Sequence, residues 1–348
     1  MRSRSLAGAT ASLLLLALAA CGSSTADPAA NSTTPAGEAA TGAAFPVTIQ
    51  HALGSTTIES KPERVATVAW SNHEVPLALG VVPVGMSKAT WGDDNGNGVL
   101  PWVEEKLTEL GAQTPVLFDD TDSIDYEAVA NTKPDVILAA YSGLTKEQYD
   151  TLSKIAPVVA YPKAAWGTSM DEMIKLNSLA IGLGPEGEKL ATDLDAQVKA
   201  TGAKHPELAG KTALFSFIDT TDLSKVGFYN TNDPRAALFT EIGMTEAKAA
   251  TESAAAGPAF FGTISAEQSD SFADVDLVVS YAKDEAATLK AVEADPLWSK
   301  IPAVKNGSIA LLKDDTPLAA VANPSPLSIP WGMDKYLAVL DAAATKAP

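Results

Sequence analysis

Cysteine occurs once in this chain of 348 residues, at position 21. A single thiol rules out an intrachain disulfide, so any fold must rest on packing. Histidine is also sparse. His51, His73 and His205 lie far apart in the chain, which argues against the clustered imidazoles of a zinc site. Arginine is found at positions 2, 4, 64 and 235. The formal charge of −18 argues against nucleic acid or an anionic lipid surface as a partner. An acidic surface suits a basic protein partner or simple solubility. No G-x-S-x-G elbow, P-loop, H-E-x-x-H or G-x-G-x-x-G is present, so no enzyme activity is expected.

What is present begins with an address. Arg2 and Arg4 precede the apolar run LLLLALAA, too short to span a bilayer and typical of an export leader. Leu18-Ala19-Ala20-Cys21 resembles the bacterial lipobox, in which the cysteine becomes the lipid-modified first residue of the mature protein. The expectation is a signal peptide over 1–20 and a lipid anchor on the extracytoplasmic face of the cell membrane. Residues 21–44, rich in Ser, Thr, Ala, Gly and Pro, read as a flexible tether.

The rest of the chain looks doubled. IDYEAVANTKPDVILAAYSG, from Ile124, returns in weaker form as ISAEQSDSFADVDLVVSY, from Ile264. Each copy opens on a capping residue, Asp125 in the first and Ser265 with Gln268 in the second, and carries a glutamate in the first turn, Glu127 or Glu267. Each then runs through a turn into a short branched strand that ends in an aromatic, Tyr141 or Tyr281. Open α/β sheets bind ligands at such strand ends.

Around these copies the β-α-β rhythm continues. A hairpin over residues 45–58, with Gly54-Ser55 at its turn, precedes the strand RVATVAW, and Ser71 or Asn72 caps the following helix. Val81 to Met86 reads as the next strand, and Pro101 opens a helix closing at Gly111. Capping boxes at Thr145–Gln148 and Ser169–Glu172 mark two more helices. Leu190, Leu194 and Val198, spaced by four on an otherwise polar stretch, read as a connecting helix. The pattern restarts at TALFSFI and closes with a helix from about Asp334. The domains expected are therefore 45–184, a connecting helix over 185–204, and 205–348.

The order of these segments is similar to that of a known family. RVATVAWSNHEVPLALGVVPVGM, YEAVANTKPDVILAAYSG, LAIGLGPEGEKLATDLDAQV, DPRAALFTEIGM, ISAEQSDSFADVDLVVSYA and ANPSPLSIPWGMDKYLAVL together resemble the substrate-binding lipoproteins of iron-siderophore, haem and cobalamin ABC importers. The resemblance covers nearly all of the chain after the tether. It implies an α/β fold of two Rossmann-like lobes joined by a single rigid helix, the class III arrangement. It also implies a ferric siderophore as ligand, with haem or cobalamin as alternatives, and a monomer that docks on an ABC permease. The family's docking glutamates match Glu127 and Glu267. Iron is then held by the siderophore, with no cofactor or protein-bound metal. A ligand-sensing surface lipoprotein on the same fold is the alternative outside transport.

A siderophore is a broad disc that aromatic faces can cover at low entropic cost, with a cation or two for its polar edge. The aromatics past strand ends in the first lobe are Trp70, Trp91, Tyr141 and Trp166. Their counterparts in the second are Phe217, Tyr229, Phe260, Phe261, Tyr281 and Trp331. The candidate cations are Arg235, at a helix start where the dipole calls for a nearby anion, and Lys88. So few cleft cations favour a neutral hydroxamate or mixed-type complex over an anionic catecholate one. His73 beside the cleft is a candidate axial ligand should the cargo be haem. Asp93, Asn95, Asn97, Gly98 and Glu104 match the calcium-loop pattern D-x-N-x-N-G-x5-E, although a turn this rich in Gly and Asn needs no metal to explain it.

Overall fold

The computed structural model describes residues 45–347, which belong to one compact unit. The lipobox with Cys21, the leader and the tether lie outside the described residues. Among the described residues no helix is long and apolar enough to cross a membrane.

An antiparallel hairpin, β1 (Val47–His51) and β2 (Gly54–Ile58), leads in. Its turn is Ala52-Leu53 rather than Gly54-Ser55: Gly54 already pairs with His51, and at φ +136° it starts β2 in a conformation open to glycine. The first lobe follows as β3 (Val65–Thr67), α1 (Glu74–Ala78), β4 (Gly85–Ser87), α2 (Pro101–Glu109), β5 (Val116–Phe118), α3 (Tyr126–Asn131), β6 (Val136–Leu138), α4 (Lys146–Leu152) and β7 (Val158–Val159). All pairs in its sheet are parallel, in the order β5-β4-β3-β6-β7. The strand expected from Val81 is shortened to β4 because Pro83 has no N–H for a ladder. Pro101 stands at the start of α2 as its spacing predicts, and Thr145 closes a full capping box with Gln148 on α4.

Helix α5 (Met170–Ala180) packs on the first lobe, against α1, β1, β6 and β7, and α6 (Gly184–Gly202) connects the halves. Of the stripe read from the sequence, Leu194 and Val198 are buried and Leu190 is half-buried, and Ala191 joins them on the covered face of α6. A Cβ on Gly187 would stand 1.9 Å from Ser178 Oγ, so α5 and α6 approach more closely than any other residue there would permit. Helix α6 packs on α5, on α7 (Pro234–Glu241) and on the last helix of the chain, α12 (Ser328–Ala344), so both halves grip it.

The second lobe is mixed. β8 (Thr212–Phe217) pairs in parallel with β12 (Leu277–Ala282), which pairs with β13 (Ile309–Lys313). On the other edge β9 (Lys225–Tyr229) and β11 (Phe261–Ser265) join antiparallel, and β10 (Thr245–Glu246) extends β8. Helices α7, α8 (Lys248–Ala255), α9 (Glu285–Ala294), α10 (Pro302–Asn306), α11 (Pro317–Val321) and α12 pack around this sheet. The expected box at Ser265 is half formed. Ser265 Oγ accepts from Glu267 N, but Gln268 departs from helical geometry and the turn is a kinked 3₁₀ segment over residues 266–272. Helix α12 starts six residues before Asp334, because Pro330 falls within the first turn, where an N–H has no intrahelical partner to lose.

Candidate functional site

In the first sheet the strand order reverses between β3 and β6, and ligands of open α/β sheets bind at such a switch point. A cavity of about 340 Å³ opens there, walled by residues that follow β3, β4, β5 and β6. Trp70, Trp166 and Lys88 line it as the sequence suggests, joined by His73, Asp120 and Gln148. Among the described residues Lys88 is the one lysine or arginine on its wall.

The backbone around this cavity is held in costly conformations. Ala69, Ser71 and Trp166 have φ of 63°, 61° and 58°, each costing on the order of 1–2 kcal/mol for a residue with a side chain. Asn72 fixes the first two. Fully buried, it donates to the carbonyls of Val68, Trp70 and Tyr141 and accepts from Tyr141 N and Asn177 Nδ2. It is thus a staple between two strand ends rather than a helix cap; the cap position of α1 is His73, with no side-chain cap bond. Trp166 is set by Gly143, where an added Cβ would lie 2.2 Å from the indole nitrogen. Asp120 accepts from Ser87 Oγ at 2.6 Å and Ala69 N at 3.1 Å, tying the ends of β3, β4 and β5 together.

Across the cleft the second lobe presents a separate cluster. The Arg235 guanidinium lies 3.9 Å from the centre of the Tyr229 ring and bonds Asp233 through Nε and Nη2, at 2.8 and 2.7 Å. Asp233, fully buried, is also the cap of α7, so it is the anion that a cation at this helix start requires. Burial works against the charge on Arg235, yet the Asp233 hydrogen bonds and charge hold its pKa above the usual arginine range. The Tyr281 hydroxyl is buried close to Arg235, and burial raises its pKa. Tyr229 also stacks with Phe260 and meets Phe261 edge-on.

The clusters meet through rings. Trp91 lies 6.2 Å from Trp70 and 5.3 Å from Tyr281, and its Nε1 donates to Asp314 of the second lobe. Tyr141, edge-on to Trp166, accepts from Asn323 Nδ2; burial and then the Asp233 charge push its phenol up. Phe217 is about half exposed at the tip of β8. Trp331, expected in the cleft, is elsewhere: at the start of α12 it packs on Trp102, 5.2 Å away, and donates to Glu105. Its distance along the chain from any strand end let helix packing claim it. Glu127 and Glu267 are exposed in the first turns of α3 and of the 266–272 segment. In the Asp93–Glu104 loop the carboxylates are engaged by the loop's own donors, Asp93 by the amides of residues 95, 96 and 98 and Glu104 by Asn95 and Asn97.

The family model described as periplasmic binding protein matches residues 65–316, both lobes included. The chain is a periplasmic binding protein. Among solved structures, PiaA of Streptococcus pneumoniae TIGR4 in complex with ferrichrome is similar to it with a TM-score of 0.82 and 46% identity, over 86% of this chain and 99% of that one. A periplasmic solute binding protein of Mycobacterium smegmatis matches with a TM-score of 0.68 and 26% identity, over 86% and 98%. The probable siderophore-binding lipoprotein YfiY of Bacillus subtilis (strain 168) is 25% identical over 272 residues, 75% of this chain and 78% of its own length. This periplasmic binding protein therefore carries the two-lobed α/β fold of class III, with aromatic and polar groups converging at the strand ends of its first sheet.

Proposed function

We propose that this protein captures a ferric hydroxamate siderophore and delivers it to an ABC permease, anchored by a lipid on Cys21 and acting as a monomer without chemistry of its own. The observation that carries the reading is the cavity at the switch point, walled by indole faces and offering a single lysine. Such a wall holds a broad neutral disc by area and rejects a multiply charged one for want of compensating cations. The likeness to the ferrichrome-bound PiaA supports the same class. Iron travels as cargo, held by the siderophore. Delivery uses Glu127 and Glu267, two exposed carboxylates on separate lobes, which suit arginine pockets on a permease.

Tryptophan fluorescence of residues 45–348 titrated with ferrichrome, ferrioxamine B, a ferric catecholate, haem and cobalamin tests the ligand. Quenching by the hydroxamates at micromolar or lower concentration is expected; a response to haem or cobalamin alone refutes the siderophore. For delivery, the double variant E127A/E267A should keep its affinity and lose uptake, and normal uptake would sink the docking role.

A further inference from the structure

His73 is a polar side chain that the fold leaves unused. It stands at the cap position of α1 without making a cap bond, is 7% exposed, and lines the cavity beside Trp70. Its Nδ1 is buried with no partner, and no hydrogen bond engages Nε2. A buried polar group without a partner costs free energy. Nε2, not sealed in the interior, is the nitrogen that a ligand in the cavity can reach.

The protonation state follows from the surroundings. Burial pushes the imidazole down to about 4, so the ring is neutral near pH 7. A neutral ring carries one proton. An orphaned buried N–H is a rarer thing in proteins than an orphaned acceptor. The proton therefore belongs on Nε2, the nitrogen not sealed in the interior, and Nδ1 remains a bare lone pair.

We propose that His73 is a specificity residue, a neutral donor whose Nε2–H bonds an acceptor oxygen on the rim of the bound complex. The inference rests on the siderophore reading above. Its chemistry distinguishes His73 from Lys88 on the same wall: a neutral donor selects carbonyl or hydroxamate oxygen without favouring an anion, and it rejects ligands that place a methyl or ammonium group at that point.

The test uses ferrichrome and ferrioxamine B with four proteins: wild type, H73F, H73Q and H73N. The amide nitrogen of glutamine stands close to the place of His Nε2, and that of asparagine close to the place of Nδ1. H73F should bind ferrichrome at least tenfold more weakly with its melting temperature unchanged, H73Q should recover most of that loss, and H73N should behave like H73F. Wild-type affinity should be flat from pH 5.5 to 8.5. Unchanged affinity in H73F overturns the proposal, as does recovery in H73N and not in H73Q. If H73F does not fold, equal affinity of H73Q and H73N overturns it. A wild type that binds neither complex removes the siderophore reading itself, a result separate from a failure at His73 alone.

Discussion

Glu74 of α1 is fully buried, with Oε1 accepting from Trp102 Nε1 at 2.8 Å and Oε2 from Leu327 N at 2.9 Å. Its carboxylate therefore ties α1 and α2 of the first lobe to the start of α12. Burial pushes its pKa from 4.5 up to about 7, against the opposing pull of hydrogen bonds led by Ser325 and Trp102. A carboxyl raised in the folded state binds its proton more tightly there than when unfolded. Its ionisation thus costs stability as pH rises from about 4.5 to about 7. At about 1.4 kcal/mol for each tenfold gain in proton affinity, the cost reaches roughly 3 kcal/mol above pH 8 and vanishes below pH 4. In Glu74→Gln the side chain keeps one acceptor and turns an amide N–H₂ toward a donor, a penalty of about 1–3 kcal/mol at every pH. The variant should therefore be the less stable protein at pH 5 and gain on wild type by about 3 kcal/mol between pH 5 and 8.5. Glu246, whose pKa burial also raises to about 7, contributes equally to both proteins and cancels. Urea unfolding followed by tryptophan fluorescence at several pH values measures the difference. Parallel stability curves for the two proteins would refute the assignment of an ionising carboxyl at this interlobe tie.

Asn72→Ala removes five hydrogen bonds at once and should cost about 4 kcal/mol in denaturant unfolding. A loss below about 1 kcal/mol would mean that Asn72 is not the staple described. Gly143→Ala drives a methyl into the Trp166 indole and should weaken ferrichrome binding about tenfold at a cost of about 1–3 kcal/mol in stability, as read by calorimetric titration and denaturant unfolding. Unchanged binding would place Trp166 outside the ligand's reach.

The fold was largely legible because its rhythm is local. Caps at Thr145 and Ser169, Pro101 at a helix start and the spacing of Leu194 and Val198 each depend on neighbours within one or two turns. The site was half legible. Trp70, Lys88 and Trp166 follow strands directly, so their place on the wall could be read from position. Asn72, Asp120 and Asp233 could not, since their roles depend on partners brought close by the sheets: Asn72 meets Tyr141 and Asn177, and Asp120 meets Ser87. Asp233 caps α7, and what sets it apart from other caps is its complete burial against Arg235. Trp331 lies against α2 for the opposite reason. An aromatic near the end of a chain is as useful to a helix contact as to a ligand, and α12 needed one against Trp102.

The pairing of Arg235 with Asp233 also bears on how fast a ligand arrives. The second lobe's cation is cancelled by an anion 2.7 Å away, so that wall of the cleft projects little field into solvent, while the molecule as a whole carries −18. Encounter with a neutral complex is then governed by diffusion and shape, and capture should proceed at much the same rate in dilute medium and in brine. The docking proposed for Glu127 and Glu267 is the step that salt should slow. Loading and the proposed delivery would thus answer differently to the ionic strength of the surroundings.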